Sequence, residues 1–472
     1  MVPNLVLAFA LFLIYLLIKL RANDRAYLEM NKIDWKINLL PKPSLVVRLF
    51  NIVVGKFGAS LLITLLEKTL INFALKKSLN QMEKTEASGK VPAILCDASA
   101  RGALRERLSN YADNMRESVS LNASAKLFLY AGARQLLSNH VGLLQLGMEA
   151  HEETVHNPVF IVSMPRTGTT ILHRTMATDE SRWRAFDLAD IMRPLPPIPR
   201  SDRASRMKHA EKVQKTMVDP FMRILPGWFE CLETMDYKAP DQVDEDLGLY
   251  NPGLGIAYQD TLMHLHPENK SGHTSLESRK LAAYRYAWLD MTLRIHQKLE
   301  PDNDTTWLMK DPKHTAFLPQ LIKQFPDARF IFIHRSPGEI LASMAKLFLC
   351  FTCISVIPGA PRTSSAEWGQ YTLGKIEFYL DGVIHFSKTH PMEEDKRIDL
   401  TFSELAPDVI GSIERIYDVL FDRRPSDDVK AKMQFYLDQH RPEIKENQPR
   451  SLQDFHLTEQ DVAFEEYCEM FL

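Results

Sequence analysis

The sequence predicts an α/β fold in which a central parallel sheet is covered by helices on both faces, and three observations predict it. Short apolar runs at 159–162, 306–309, 329–333 and 398–402 alternate with longer amphipathic stretches, the pattern of strands joined by crossover helices. Two of the runs, 159–162 and 329–333, end in a tight polar turn that opens directly into a helical pattern. Residues able to do chemistry cluster at 165–170, at 310–314 and at 335, just past the ends of those runs, where ligands sit in such sheets.

The elements follow in order. Residues 5–18 are uninterrupted apolar residues followed at once by Lys19, Arg21 and Arg25. With flanking residues at one end and a snorkelling Lys19 at the other they reach the ~30 Å of a bilayer core, and no basic leader or small-residue cleavage site marks a signal peptide. The expectation is an uncleaved membrane anchor over 1–25. Residues 44–77 are apolar but carry Arg48, Lys56, Glu67 and Lys77 within about a third of a helical circumference. Two readings stand: a helix lying in the membrane interface, or a core helix of an N-terminal layer. A polar stretch, 81–90, separates this region from two further helical patterns over 97–150. The expected organisation is thus an anchor (1–25), a helical, membrane-associated region (26–150) and an α/β domain (151–472).

Within that domain the first strand and its turn are followed by a proline-rich linker at 194–199, a polar helical stretch to about 217, and the acidic segment 239–250, which leads to a helical region containing His264 and His266. Then come a long amphipathic helix (279–299), a strand (306–309), a helix (316–325), a strand (329–333), a helix from Pro337, a loop at 358–361, a helix (365–388), a strand (398–402) and two helices to about 440. The 472 residues suffice for one large α/β domain with an appendage. A net charge of −3, from 57 basic and 60 acidic residues, creates no field that would favour nucleic acid, and no nucleic-acid partner is expected. Five scattered cysteines make no disulfide framework, and Cys350 with Cys353 lacks the second pair or histidine cluster that zinc needs.

The turn after the first strand reads Pro165, Arg166, Thr167, Gly168, Thr169, Thr170. A helix start presents backbone N–H groups and the positive end of its dipole, and Arg166 adds a cation among three hydroxyls, so the turn is an anion cradle sized for a phosphate. A nucleoside-triphosphate loop would need GxxxxGK[ST]; here the spacing is shorter and arginine precedes the single glycine.

PRTGTT at 165–170, together with FIFIHRSPGEILASMAKLF at 330–348, resembles the two nucleotide-binding segments of the sulfotransferases that use 3′-phosphoadenosine 5′-phosphosulfate (PAPS). The resemblance covers roughly 155–472 and implies a three-layer, P-loop-like fold. By it, Arg166, Thr167, Gly168, Thr169 and Thr170 would hold the 5′-phosphosulfate, while Arg335 and Ser343, eight residues apart, would hold the 3′-phosphate. Lys310 would steady the sulfuryl group and His314 would be the general base. The family's cytosolic members have these two residues two apart instead of four, and other branches use a carboxylate as base, so Glu245, Asp246 and Glu230 stand as alternatives. Lys445 or Arg450 would touch the nucleotide from the terminal segment.

In-line sulfuryl transfer needs the reactants positioned, the leaving oxygen neutralised and the acceptor's proton removed, and it needs no metal. The function expected is transfer of a sulfuryl group from PAPS to a hydroxyl of a small-molecule, lipid or carbohydrate acceptor at a membrane. A nucleotide-dependent phosphotransferase and an inactive scaffold that keeps the fold are the alternatives. An endoplasmic-reticulum or Golgi membrane is the expected location. The flanking positive charges favour a cytosolic catalytic domain, whereas Golgi members of the family face the lumen. The triplets opening at Asn122, Asn269 and Asn303 would bear on this only if glycosylated.

Overall fold

The computed structural model describes residues 14–22, 44–57, 71–119, 121–219, 223, 239–249, 276–300, 305–352, 357, 364–440 and 451–472. Its centre is a five-stranded, wholly parallel sheet of β1 (Val159–Val162), β2 (Trp183–Arg184), β3 (Thr306–Lys310), β4 (Arg329–His334) and β5 (Arg397–Thr401), in the order β2-β3-β1-β4-β5. From β1 the chain leaves towards β2, and from β4 it leaves towards β5. The loops after these two adjacent strands therefore diverge, and a crevice at such a switch point is where parallel sheets bind ligands.

The alternation of side chains along the strands divides the core in two. Phe160, Val162, Trp307, Met309, Phe330 and Phe332 point into one cluster, and Val159, Ile161, Leu308, Ile331, Ile333, Ile398 and Leu400 into the other. All four side chains of β1 are fully buried, and each contributes roughly 1.5–3 kcal/mol relative to exposure. Over the second face lie α1 (Thr169–Ala177), α2 (Val409–Phe421) and α3 (Asp427–His440). Over the first lie the helices Leu276–Gln297, Leu318–Gln324, Pro337–Thr352 and Ser365–Thr389. The three layers expected from the sequence are all present, with strand and helix limits close to those read from periodicity. The edge strand β2 was not foreseen, because two residues carry no periodicity.

The helices Asn72–Ser88, Ala98–Glu117 and Ala123–Gly147 feed the same apolar cluster as the first sheet face. The polar stretch expected to separate helices does not break Asn72–Ser88. Ser78, Gln81 and Thr85 are buried there because they have polar partners: Ser78 Oγ lies 2.7 Å from His140 Nδ1, and Gln145 donates to Gln81 Oε1 at 3.3 Å. The helix Leu45–Phe57 packs on Ala123–Gly147, with Asn51 Oδ1 accepting from the Ser124 amide at 2.8 Å, while Leu45 and Val46 stay exposed. Part of the 44–77 region, 58–70, lies outside the described residues.

Of the expected anchor, residues 14–22 are helical, and 1–13 and 23–25 lie outside the described residues. Among the described residues no helix is long and apolar enough to cross a membrane. Asn122 is a buried N-cap that accepts from the Ala125 amide at 2.9 Å, an environment closed to a glycan. Asn269, Asn303, Cys353, Glu230, His264, His266, Lys445 and Arg450 lie outside the described residues.

Candidate active site

Three loops meet at the carboxyl ends of β1, β3 and β4. After β1 the chain turns so tightly that Arg166 has φ +70° and Gly168 φ +82°. Glycine is favoured at 168, where φ is left-handed and an added Cβ would also lie 3.3 Å from Leu405 and Phe402. The turn is fastened from beneath: Ser163 Oγ donates to the Ile333 carbonyl at 2.6 Å, linking it to β4, and Thr167 Oγ donates to the Met164 carbonyl at 2.8 Å. The helix α1 then starts at Thr169 with no side-chain cap. Its first-turn N–H groups have no acceptor within the helix, the arrangement that an anion cradle at 165–170 needs.

Arg166 reaches from this loop to the helix after β4, its Nε donating to Ser343 Oγ at 2.9 Å. Arg335, just past β4, donates in turn to the Arg166 carbonyl at 2.8 Å and to Glu339 at 2.9 Å. Its guanidinium lies over the Phe402 ring, 4.0 Å from the centroid, which holds the planar fork in one orientation. The two motifs that lie about 170 residues apart in sequence are thus one hydrogen-bonded unit. Phe402 was not singled out in the sequence; a lone aromatic after a strand gives no signal of the cation it will carry.

Lys310 closes β3. It is 2% exposed, and its ammonium donates to Glu245 at 2.6 Å and to Thr170, in the first turn of α1, at 3.3 Å. Glu245 belongs to the acidic segment, which is held against residues 186–188, just past β2, by backbone bonds from Leu188 to the Gln242 carbonyl and from Asp244 to the Phe186 carbonyl. Arg174, from α1, donates to the Val243 carbonyl at 2.7 Å.

His314 is not brought to the surface as an expected base should be. It is fully buried, with Nε2 3.2 Å from Asp246 Oδ2, Nδ1 3.1 Å from the Tyr286 hydroxyl, and its ring edge-on to Phe160. Burial pushes its pKa down, but the charge of Asp246 and the hydrogen bond to it, with Asp311 behind, outweigh that and raise it. Burial raises Asp311 to about 6 despite the neighbouring His314. His173 is also buried against the sheet, with Nε2 3.2 Å from the Leu308 carbonyl, and burial followed by the Lys310 charge takes its pKa down to about 4. Among the described candidate bases it is the carboxylate Glu245 that is both partly exposed and in contact with Lys310.

Comparison with known proteins bears on the family and the fold. The model of the Sulfotransferase family matches residues 158–421, from β1 to the end of α2. The omega-hydroxy-beta-dihydromenaquinone-9 sulfotransferases Stf3 of Mycobacterium bovis and Mycobacterium tuberculosis are each 24% identical over 204 residues, covering 40% of this chain. The match spans 45% of those relatives, a little under half their length. The crystal structure of sulfotransferase STF9 from Mycobacterium avium superposes with a TM-score of 0.61 at 20% identity, over 78% of this chain and 91% of that one. Sulfotransferase STF1 from Mycobacterium tuberculosis gives 0.58 at 19%, over 78% and 92%. These likenesses establish the fold. The relatives are mycobacterial, so they lend no support to the endoplasmic-reticulum or Golgi location expected from the sequence. With more than half of its length matched by the family model, including the strand, cradle and arginine segments of the site, the chain belongs to the Sulfotransferase family.

Proposed function

We propose that the protein transfers a sulfuryl group from PAPS to the hydroxyl of an apolar, lipid-like acceptor. The single observation that carries the nucleotide assignment is the joining of the 165–170 cradle to Arg335 and Ser343 through Arg166. The residues fit the donor: the uncapped helix start at Thr169 lies beside a loop joined to the guanidiniums of Arg166 and Arg335. PAPS supplies an activated sulfuryl group whose departure leaves 3′,5′-adenosine bisphosphate.

In this reading the first-turn amides of α1, with Thr167, Thr169 and Thr170, hold the 5′-phosphosulfate, and Arg166 neutralises charge developing on the leaving oxygen. Arg335 and Ser343 hold the 3′-phosphate, the arginine being fixed by Phe402. Lys310, seated on Thr170 and Glu245, stands beside the sulfuryl position. Glu245, one third exposed, receives the acceptor's proton. In this reading the more exposed Glu245 takes the role of base in place of the fully buried His314.

Two observations favour a lipid-like acceptor: the Stf3 relatives are named for a hydroxylated menaquinone, and Leu45, Val46 and Phe73 are exposed apolar residues of the N-terminal helices. Exposed apolar side chains of this kind suit contact with a membrane surface, where such an acceptor resides. Calorimetric titration with 3′,5′-adenosine bisphosphate tests the reading. Binding is expected in the wild type, weakened about a hundredfold in Arg335→Ala, where a charge-assisted bidentate contact is lost. Absence of binding by the wild type would overturn the nucleotide assignment.

A further inference from the structure

Lys310 and His314 sit at the two ends of one short turn, and they grip two consecutive carboxylates of a distant segment. Lys310 bonds Glu245 at 2.6 Å, and His314 bonds Asp246 at 3.2 Å. The turn is itself stiff. Asp311 caps it by accepting from the Lys313 amide at 2.9 Å, and Thr315 donates to the Pro312 carbonyl at 2.5 Å. Exposure separates the roles of the four side chains. Lys310, Asp246 and His314 are 3%, 3% and 0% exposed, whereas Glu245 is 33% exposed. Three of the four are therefore sealed into the protein and one faces out.

Burying an imidazole and a carboxylate is costly unless they pair, and the pair formed here is directional. Tyr286, from the helix Leu276–Gln297, fixes the other ring nitrogen of His314 at 3.1 Å, and Phe160 packs on the ring from β1. His314 is thereby anchored to the sheet and to its covering helix. Through Asp246 that anchorage reaches the residue next to Glu245. We propose that the His314–Asp246 pair is a positioning clamp, which locks the 243–249 segment onto the β3 turn and so holds Glu245 at Lys310 in the orientation that receives the acceptor's proton. The clamp rests on the reading of Glu245 given above, and it assigns His314 a positioning role four residues from the lysine.

The test compares His314→Leu, His314→Gln and the double variant His314→Leu/Asp246→Leu with wild type. Leucine removes the donor, glutamine keeps an N–H close to the place of Nε2, and the double variant removes the buried charge along with its partner, so that it folds even if His314→Leu does not. Two readouts are taken. In sulfate transfer from PAPS, the leucine variants are expected to lose kcat by about tenfold or more, with the KM for PAPS and the affinity for 3′,5′-adenosine bisphosphate within about twofold of wild type, and glutamine is expected to restore most of the kcat. In amide hydrogen exchange, the leucine variants should exchange about tenfold faster in 240–249 and unchanged in β1, β3 and β4. An unchanged kcat, or exchange that rises evenly through the molecule, would overturn the clamp and leave His314 an ordinary core residue. Should the wild type bind no nucleotide and transfer no sulfate, the reading of the site fails. The exchange comparison still decides whether the pair locks this segment.

Discussion

Arg166 combines an uncommon backbone conformation with two contacts that bind the site together. Its φ of +70° costs a non-glycine residue about 1–2 kcal/mol, and the cost is met by a loop tied to β4 through Ser163 and to Arg335 through its own carbonyl. Alanine at 166 meets the same backbone cost without the guanidinium. Arg166→Ala is therefore expected to leave the melting temperature within about 2 °C of wild type and to lower kcat/KM for sulfate transfer by about 10²–10³, the usual loss when a charge-stabilising donor is removed. Transfer at the wild-type rate would remove Arg166 from the chemistry. Ser343→Ala, which deletes one neutral donor, should weaken 3′,5′-adenosine bisphosphate binding by only about five- to tenfold, as calorimetry would show. Arg166 was legible from its turn, and Arg335 and Ser343 from the resemblance of their segment to a sulfotransferase segment with the same spacing of eight. The pairing of Glu245 with Lys310 spans 65 residues and was readable only as one of several acidic candidates. No local pattern says which carboxylate the fold will carry across.

The turn and the strand that follow the same logic set the next scale. Gly168→Ala would combine a left-handed φ with contact at 3.3 Å against Leu405 and Phe402, the residue that carries Arg335. We expect it to destabilise the protein by about 1–2 kcal/mol in urea unfolding and to weaken nucleotide binding more than its loss of stability alone would, because the Phe402 shelf moves. Phe402→Leu keeps the apolar volume and removes the ring, so it isolates the cation–π contact. The expected loss in nucleotide affinity is several-fold, for an interaction of about 0.5–1 kcal/mol. Strands of four residues or more were legible as short apolar runs and the longer helices of the α/β domain from their amphipathic pattern, whereas the short helices Leu188–Met192 and Phe402–Leu405 were not read. β2 was too short to read, and Asn72–Ser88 ran on through residues whose polarity is satisfied by His140 and Gln145, partners that no reading of the helix alone reveals.

The molecule as a whole is a sheet between two apolar layers, one of which continues into the N-terminal helices. The family match covers 158–421, whereas the buried residues of 71–150 belong to the same cluster as Phe160 and Phe330. That continuity was not legible, since the composition of 44–77 suits a membrane interface as well as a core. At the far edge of the sheet, β5 supplies an acid-sensitive contact. Burial would raise Asp399, but hydrogen bonds from His334 and Arg397 outweigh it and hold the carboxyl at about 2, against an ordinary value near 3.8. A carboxyl held low stabilises the fold above its unfolded value and loses that contribution as the pH falls. Since the side chain is 37% exposed, screening reduces the contribution to about 1 kcal/mol. Urea titrations should accordingly show Asp399→Asn less stable than wild type by about that amount at pH 7, with the difference vanishing between about pH 4 and pH 2.

The most direct measurement is transfer of labelled sulfate from PAPS by the whole chain, supplied with vesicles containing hydroxylated isoprenoid quinones, hydroxylated steroids or sugar-headed lipids, with Arg166→Ala and Glu245→Gln alongside. Incorporation of label into a hydroxylated lipid, abolished by either substitution and accompanied by release of 3′,5′-adenosine bisphosphate, is the expected result. Wild-type protein that binds the nucleotide but labels no acceptor, or labelling that survives both substitutions, would contradict the account.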